Sequence, residues 1–317
     1  MKLYLGIDVG GTSAKAGVVD SEGKILYKSS CPTGIERAFE AIVADMADLC
    51  KRVVQESGHS MEEIQSVGVG IPGEQSPETG LVALCNNLGW HDVPLMGTLK
   101  KLLGKPVYVD NDANVAALAE SWAGVSRDVK SSVLVTLGTG VGGGIVFNRS
   151  VYPGAHGVGG EIGHMVVVVD GEPCNCGQRG CWEKYSSATA LIRMGRECIQ
   201  KKPDCPLAQA VKDVSNLNAK AVLDLAKQGD PDCLEIFHTY VRFVCIGLSN
   251  LISILDPDMF VLGGGVSYAG EFLLNAIRAE LPKYLYCPAI PHARVELATL
   301  GNDAGIIGAA MLGREDA

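Results

Sequence analysis

One unit of sequence occurs twice in this chain. Leu3 to Val9 reads as a buried strand, Gly10-Gly11-Thr12 as a glycine turn, and Ala14 to Val19 as the returning strand. From Ser131 the order repeats. Val133 to Leu137 is a strand, Gly138-Thr139-Gly140-Val141-Gly142-Gly143-Gly144 a glycine turn, and Ile145 to Phe147 a return. A repeat at that distance is too long for a solenoid and points to a duplicated domain, for which 317 residues are enough. Apolar spacing adds a helix over Ile35 to Gln55, strands at Val67 to Ile71 and Pro106 to Asp110, and a helix at Ala113 to Trp122. Further helices are expected within 186–202, 219–228 and 232–255. A strand from Met259 to Leu262 then ends at Gly263-Gly264-Gly265, and a small-residue helix runs from Asp303 to Met311. Strands mixed with helices throughout give an α/β class.

The second turn satisfies G-x-G-x-x-G through Gly138, Gly140 and Gly143. A dinucleotide fold would place a helix next, whereas β-rich Ile145-Val146-Phe147 follows. No G-x-x-x-x-G-K-[ST] occurs, which excludes a P-loop. Either turn alone could be an ordinary tight hairpin. Two of them facing each other across a cleft, each with Thr beside Gly, could surround a triphosphate with backbone amides and the Thr12 and Thr139 hydroxyls. Asp8 cannot meet phosphate directly without repulsion. It is suited to Mg²⁺ through water, or else to forming its own turn. Lys15 could neutralise phosphate but reads more simply as a solvated lysine.

A net charge of −9 argues against nucleic-acid binding, which depends on Lys and Arg neutralising phosphates. It leaves nucleotides open, because amides can hold phosphates. Hydrophobic residues make up 47%, so disorder is not expected beyond the termini. No run of about 18 apolar residues suggests a membrane span. The N-terminus, charged at Lys2 and Asp8, lacks the form of a signal peptide. Eleven cysteines in a large chain without such a signal read as reduced thiols, and the expected location is cytoplasmic.

Three of those cysteines crowd together. Glu161-Ile162-Gly163-His164 is followed by Cys174-Asn175-Cys176-Gly177-Gln178-Arg179-Gly180-Cys181. One imidazole and three thiolates are the ligands tetrahedral Zn²⁺ prefers, and four protein ligands leave no open position. The expected zinc is therefore structural, held by His164, Cys174, Cys176 and Cys181. A redox cluster or incidental buried thiols would explain neither the histidine nor the interrupting glycines. No basic helix follows, so a nucleic-acid zinc finger does not fit.

Phosphoryl transfer to an alcohol needs a carboxylate to take the hydroxyl proton, and one of ordinary pKa is ionised at neutral pH. Asp110-Asn111-Asp112 supplies two candidates where a strand gives way to a helix. Asp112 could instead cap the helix, and Asp110 could equally be the base.

The whole chain resembles one family. Asp8-Val9-Gly10-Gly11-Thr12 and Leu137 to Gly144 resemble the two phosphate motifs of the sugar-kinase, Hsp70 and actin superfamily. Val261-Leu262-Gly263-Gly264-Gly265-Val266-Ser267 resembles its adenosine motif. The pattern E-x-G-H…C-x-C-G-x-x-G-C-x-E is the hallmark of ROK (repressor, open reading frame, kinase) proteins. It is matched at Glu161, Gly163, His164, Cys174, Cys176, Gly177, Gly180, Cys181 and Glu183. The resemblance implies a two-domain actin-like, ribonuclease H-like fold with ATP and sugar in the cleft. The smaller domain would span 1–115 with about 303–317 returning to it, and the larger one 116–302.

It also implies a hexose kinase using MgATP. Asn111 and Asp112 match the family's sugar-binding pair and Asp112 its base; Gly73, Asn87, Glu161, His164 and Glu183 match its sugar contacts. His164 would then offer one ring nitrogen to zinc and the other to the sugar. ATP would lie against Asp8, Gly10, Gly11, Thr12, Gly138, Thr139, Gly140 and Gly263-Gly264-Gly265. Asn87 to Trp90 and Gly154 to Gly157 look most like the family's glucokinase branch, which makes glucose the expected substrate. N-acetylmannosamine or another hexose is the alternative. The family's repressors carry a helix-turn-helix ahead of the first phosphate motif, for which no room is expected before Asp8. Relatives are often dimers, so a homodimer or a dimer of dimers is implied, with no nucleic-acid or membrane partner.

Overall fold

The computed structural model describes residues 2–76 and 79–314. The chain divides into two compact units. The first takes the chain up to Leu134, then Gly144–Gly160, and again from Ala298; the second takes Val135–Gly143 and Glu161–Leu297.

The first unit opens with strands β1 (Leu3–Val9), β2 (Ser13–Asp20) and β3 (Ile25–Pro32), then helix α1 (Phe39–Glu56) and β4 (Ile64–Ile71). Three short strands follow, β5 (Glu74–Gln75), β6 (Val82–Cys85) and β7 (Trp90–Val93), then α2 (Leu95–Leu103), β8 (Val107–Asn111) and α3 (Asp112–Trp122). The main sheet runs β3-β2-β1-β4-β8, antiparallel through the hairpins and parallel from β1 to β8. The short strands form their own antiparallel sheet, β5-β6-β7.

Strand β1 is buried on both faces, which is why its sequence is nearly continuously apolar. Leu3, Leu5, Ile7 and Val9 pack with Ile42, Val43, Met46, Leu49 and Val53 of α1. Tyr4, on the opposite face, packs with Leu118 and Trp122 of α3. Each large side chain so buried stabilises the fold by about 1.5–3 kcal/mol. Helix α1 begins at Phe39, after the Ile35 start expected from spacing. Thr33 explains the delay, because its N–H and hydroxyl are bound to the turn after β1.

Strands β9 (Ser131–Leu137), β10 (Val141–Phe147) and β11 (Ser150–Val151) follow. Next come helices α4 (Glu183–Ser186), α5 (Ala188–Lys201), α6 (Pro206–Val211), α7 (Ala219–Lys227) and α8 (Pro231–Leu255). The helix expected over 186–202 is interrupted at Ser187, whose hydroxyl caps α5 by accepting from the Ala190 N–H. Strand β12 (Met259–Gly263), α9 (Glu271–Glu280) and β13 (Arg294–Leu297) end the second unit, and α10 (Ala304–Met311) belongs to the first. The second main sheet has the order β11-β10-β9-β12-β13. It matches β3-β2-β1-β4-β8 position by position, so the sequence repeat is a repeat of topology, as an actin-like fold requires.

Helix α8 is long and apolar enough to cross a membrane by length and composition, although no uninterrupted apolar run marked it in the sequence. Its Ile236, Phe237, Tyr240, Val244 and Leu248 are buried, and it packs on α5, α7 and α9 as a core helix. Asp230 caps its start, Pro231 takes the first helical position, and Asp256 ends it in the left-handed region (φ 43°).

Candidate active site and metal centre

In the first unit the turn after β1 is folded by its own backbone and by one threonine. The Gly10 N–H donates to the Ser13 carbonyl at 3.0 Å. Thr33 donates its hydroxyl to the Gly10 carbonyl at 2.6 Å and its N–H to the Thr12 carbonyl at 3.1 Å. Those carbonyls are thus occupied, while Thr12 remains exposed. Asp8 has Lys15 Nζ at 3.4 Å from its Oδ2. The start of α10 lies against the same carboxylate, so close that a Cβ on Gly305 would sit 2.5 Å from Asp8 Cγ. Gly305 was not singled out in the sequence, where its only signal was a glycine early in a small-residue helix.

The other first-unit candidates converge on one thiol. Asn111 caps α3 by accepting from the Ala113 N–H at 2.8 Å, and its Nδ2 reaches the Gly73 carbonyl at 3.4 Å. Gly73 packs on Cys85, whose Sγ lies 3.3 Å from the Pro72 carbonyl. Burial pushes the Cys85 thiol up, opposed by the Leu88 and Asn87 N–H groups, while the negative charge of Asp112 adds to the rise. Asn87 is also a neighbour of the Gly10-Gly11-Thr12 turn, its carbonyl lying beside Gly11. Gly73, Asn87, Asn111 and Asp112 are therefore brought together, and next to Gly10-Gly11-Thr12. Cys85 was overlooked in the sequence because a lone cysteine before Asn86-Asn87 carries no distinguishing pattern.

In the second unit the turn between β9 and β10 is braced by a helix. The start of α5 takes both turn carbonyls: the Ala188 N–H donates to Gly138 at 2.7 Å and the Thr189 hydroxyl to Thr139 at 2.7 Å. Thr139 itself is exposed. Gly264, the middle glycine of the run that begins at the end of β12, lies with its backbone against Leu137, which leads into the turn. The expected adenosine and phosphate motifs are thus adjacent. On its other side, Gly140 lies against Glu183, whose Oε2 would be 2.5 Å from a Cβ there.

Glu183 connects this turn to the thiol cluster, with its Oε1 at 3.3 Å from Cys174 Sγ. His164 Nδ1, Cys174 Sγ, Cys176 Sγ and Cys181 Sγ all lie within 4.8 Å of one another. The Cys176–Cys181 sulfur separation is 3.6 Å and Cys174 Sγ is 3.7 Å from His164 Nδ1. Tetrahedral zinc with bonds of about 2.3 Å to sulfur and 2.0 Å to nitrogen would set these separations at about 3.8 and 3.5 Å. The donor set and its spacing fit that ion.

The loop reaches this geometry through Gly180. It has φ 78°, and a Cβ there would overlap the Val168 carbonyl, so no other residue fits without strain. Burial raises Cys174 and pushes Cys181 up to about 12, whereas the Gln178 N–H lowers Cys176. Three thiolates this close require a cation to coexist. The other ring nitrogen of His164, Nε2, lies 4.0 Å from Glu161 Oε2.

The sequence profile of the ROK family matches residues 4–316. A glucokinase of Halalkalibacterium halodurans is 39% identical over 98% of this chain and 94% of its own length. Among solved structures, a ROK glucokinase from Streptomyces griseus in complex with glucose and AMPPNP is 37% identical, with a TM-score of 0.79 over 98% of both chains. A ROK hexokinase from Thermus thermophilus is 32% identical, with a TM-score of 0.85 over 98% of this chain and 97% of that one.

Proposed function

The chain belongs to the ROK family, and we propose that it is an ATP-dependent hexose kinase converting glucose to glucose 6-phosphate. The observation that carries this reading is the gathering of Gly73, Asn87, Asn111 and Asp112 beside the Gly10-Gly11-Thr12 turn in one unit. A sugar acceptor and a phosphate turn as neighbours are what phosphoryl transfer needs, since most of its catalysis is positioning and charge stabilisation.

Asp112 takes the proton of the sugar's 6-hydroxyl as its oxygen bonds to the γ-phosphorus and the bond to the bridging oxygen of ADP breaks. Asn111, held at its amide by Gly73 and the α3 start, offers a fixed polar edge to the sugar. Thr12 and Thr139, exposed on turns whose carbonyls are already occupied, donate to phosphate oxygens. Mg²⁺ bound with the nucleotide would spread the phosphate charge, with the oxygens of Asp8 suited to holding it through water. Glu161, His164 and Glu183, all of the second unit, are proposed as sugar contacts by their match to the family's motif.

Structural zinc belongs to the same proposal. His164, Cys174, Cys176 and Cys181 would hold it, and its chemistry there is to fix the loop carrying His164 and Glu183. The expected assembly is a homodimer or dimer of dimers, supported by apolar side chains left outside on the second unit, such as Tyr286 (98% exposed) and Ile254 (72%). The expected location is the cytoplasm, where eleven free thiols stay reduced.

A coupled ADP-release assay across glucose, N-acetylglucosamine, N-acetylmannosamine, fructose and allose tests the reading. Turnover led by glucose is expected. Turnover led by an acetamido sugar would keep the chemistry and change the substrate, and none with any sugar would sink the kinase reading.

A further inference from the structure

Asp110 has the chemistry of a base and the placement of something else. It stands at the end of β8, opposite Gly70 of β4, with Asp8 of β1 opposite the same glycine from the other side. Its side chain is turned into the corner where β8 becomes α3. Oδ1 accepts the Asn111 N–H at 2.7 Å and Asn114 Nδ2 at 2.9 Å. Asn114 is buried, and its own Oδ1 has no partner, so the bond to Asp110 is what holds that amide among the described residues. Burial raises the Asp110 carboxyl from its ordinary value, against the pull of those two bonds.

The corner has a definite order of dependence. Asp110 fixes the Asn111 backbone from one side and the first turn of α3, through Asn114, from the other. Asn111 in turn caps α3 and meets Gly73. Asp112 is the first residue of that helix and is exposed. A base must hold an oxygen ready for the sugar hydroxyl; Asp110 has an oxygen committed to two protein donors instead.

We propose that Asp110 is a positioning residue, whose carboxylate clamps the β8–α3 corner so that Asn111 and Asp112 present a fixed pair to the sugar. This rests on the reading of Asp112 as the base. It gives the two carboxylates, two residues apart in the chain, different tasks. The clamp acts through hydrogen-bond acceptance, not through proton transfer, so an amide at position 110 can largely replace it.

The test compares Asp110→Asn, Asp110→Ala, Asn114→Ala and Asp112→Asn in the full chain. The readouts are kcat, the KM for ATP and for hexose, thermal unfolding, and glucose binding by calorimetry, which needs no turnover. Asp110→Ala is expected to lower kcat on the order of 10²-fold, the penalty of a misplaced base. It should also weaken glucose binding while leaving the KM for ATP near wild type. Asp110→Asn keeps an oxygen for both donors and is expected to restore most of the loss. Asn114→Ala removes one anchor and should weaken glucose binding in the same direction, and it carries the test if Asp110→Ala does not fold.

An Asp110→Asn variant as inactive as Asp112→Asn would make Asp110 a catalytic carboxylate and overturn the proposal. So would wild-type glucose binding in both Asp110→Ala and Asn114→Ala. Activity surviving in Asp112→Asn but not in Asp110→Asn would fail both readings at once. Survival in Asp112→Asn, with Asp110→Asn also active, would remove only the base assignment.

Discussion

The two glycine turns have the same sequence logic and different supports. In the first, a single threonine of an irregular segment, Thr33, holds the carbonyls of Gly10 and Thr12. In the second, the carbonyls of Gly138 and Thr139 are held by Ala188 and Thr189 at the start of a fourteen-residue helix, and Glu183 ties Gly140 to the thiol cluster. Either arrangement occupies carbonyls, which would otherwise repel a phosphate. One depends on a single buried side chain, the other on a network that reaches the thiol cluster. A duplicated turn can therefore keep its chemistry while its support diverges.

That contrast can be broken most severely at the metal loop. Cys181→Ser removes a ligand from the centre, and structural zinc contributes on the order of 10 kcal/mol to small domains. The variant is expected to lose several kcal/mol in thermal unfolding and to release zinc. Hydrogen exchange should rise at residues 138–143 and leave 9–13 as in the wild type. Equal loss of protection at both turns would mean that they share one support.

A smaller effect separates the two threonines. Thr33 is 1% exposed and Thr189 is exposed at the helix start. Thr33→Ala leaves the half-buried Gly10 carbonyl short of a donor, which costs about 1–2 kcal/mol, whereas Thr189→Ala should cost about 0.5 kcal/mol. Chemical denaturation of both variants measures the difference, and equal costs would contradict it. The smallest effect is expected from Lys15→Ala. Its contact with Asp8 is 3.4 Å long and half in solvent, so a loss below about 0.5 kcal/mol is expected, with the KM for ATP nearly unchanged. A KM raised tenfold would instead give Lys15 a direct role at phosphate.

What could be read beforehand follows the range of the interactions. Both hairpins, the His164–Cys181 donor cluster and α10 are written in neighbouring residues, and their patterns survive in a single sequence. The helix at Ile35 was misplaced to the N-terminal side because Thr33 binds Gly10, more than twenty residues away in the chain, and no local rule anticipates that bond. The sheet of β5, β6 and β7 was not anticipated, because strands of two to four residues show no period. Cys85, at the centre of Gly73, Asn87 and Asp112, was invisible for the same reason: its neighbours come from three separate segments. Gly305 needed the packing of α10 on β1 to acquire meaning. Asp110 and Asp112 were told apart in the sequence only by the family resemblance, and the bonds that commit Asp110 to Asn111 and Asn114 appear only in the fold.

The most direct test of the account is phosphorus NMR of the products formed from ATP and glucose by the wild type and by Asp112→Asn. The account predicts that glucose 6-phosphate and ADP accumulate together in the wild type, and that their formation falls by about 10²–10⁴-fold in the variant, the range for loss of a general base. ADP with free phosphate and no sugar phosphate, or an undiminished rate in Asp112→Asn, would contradict it.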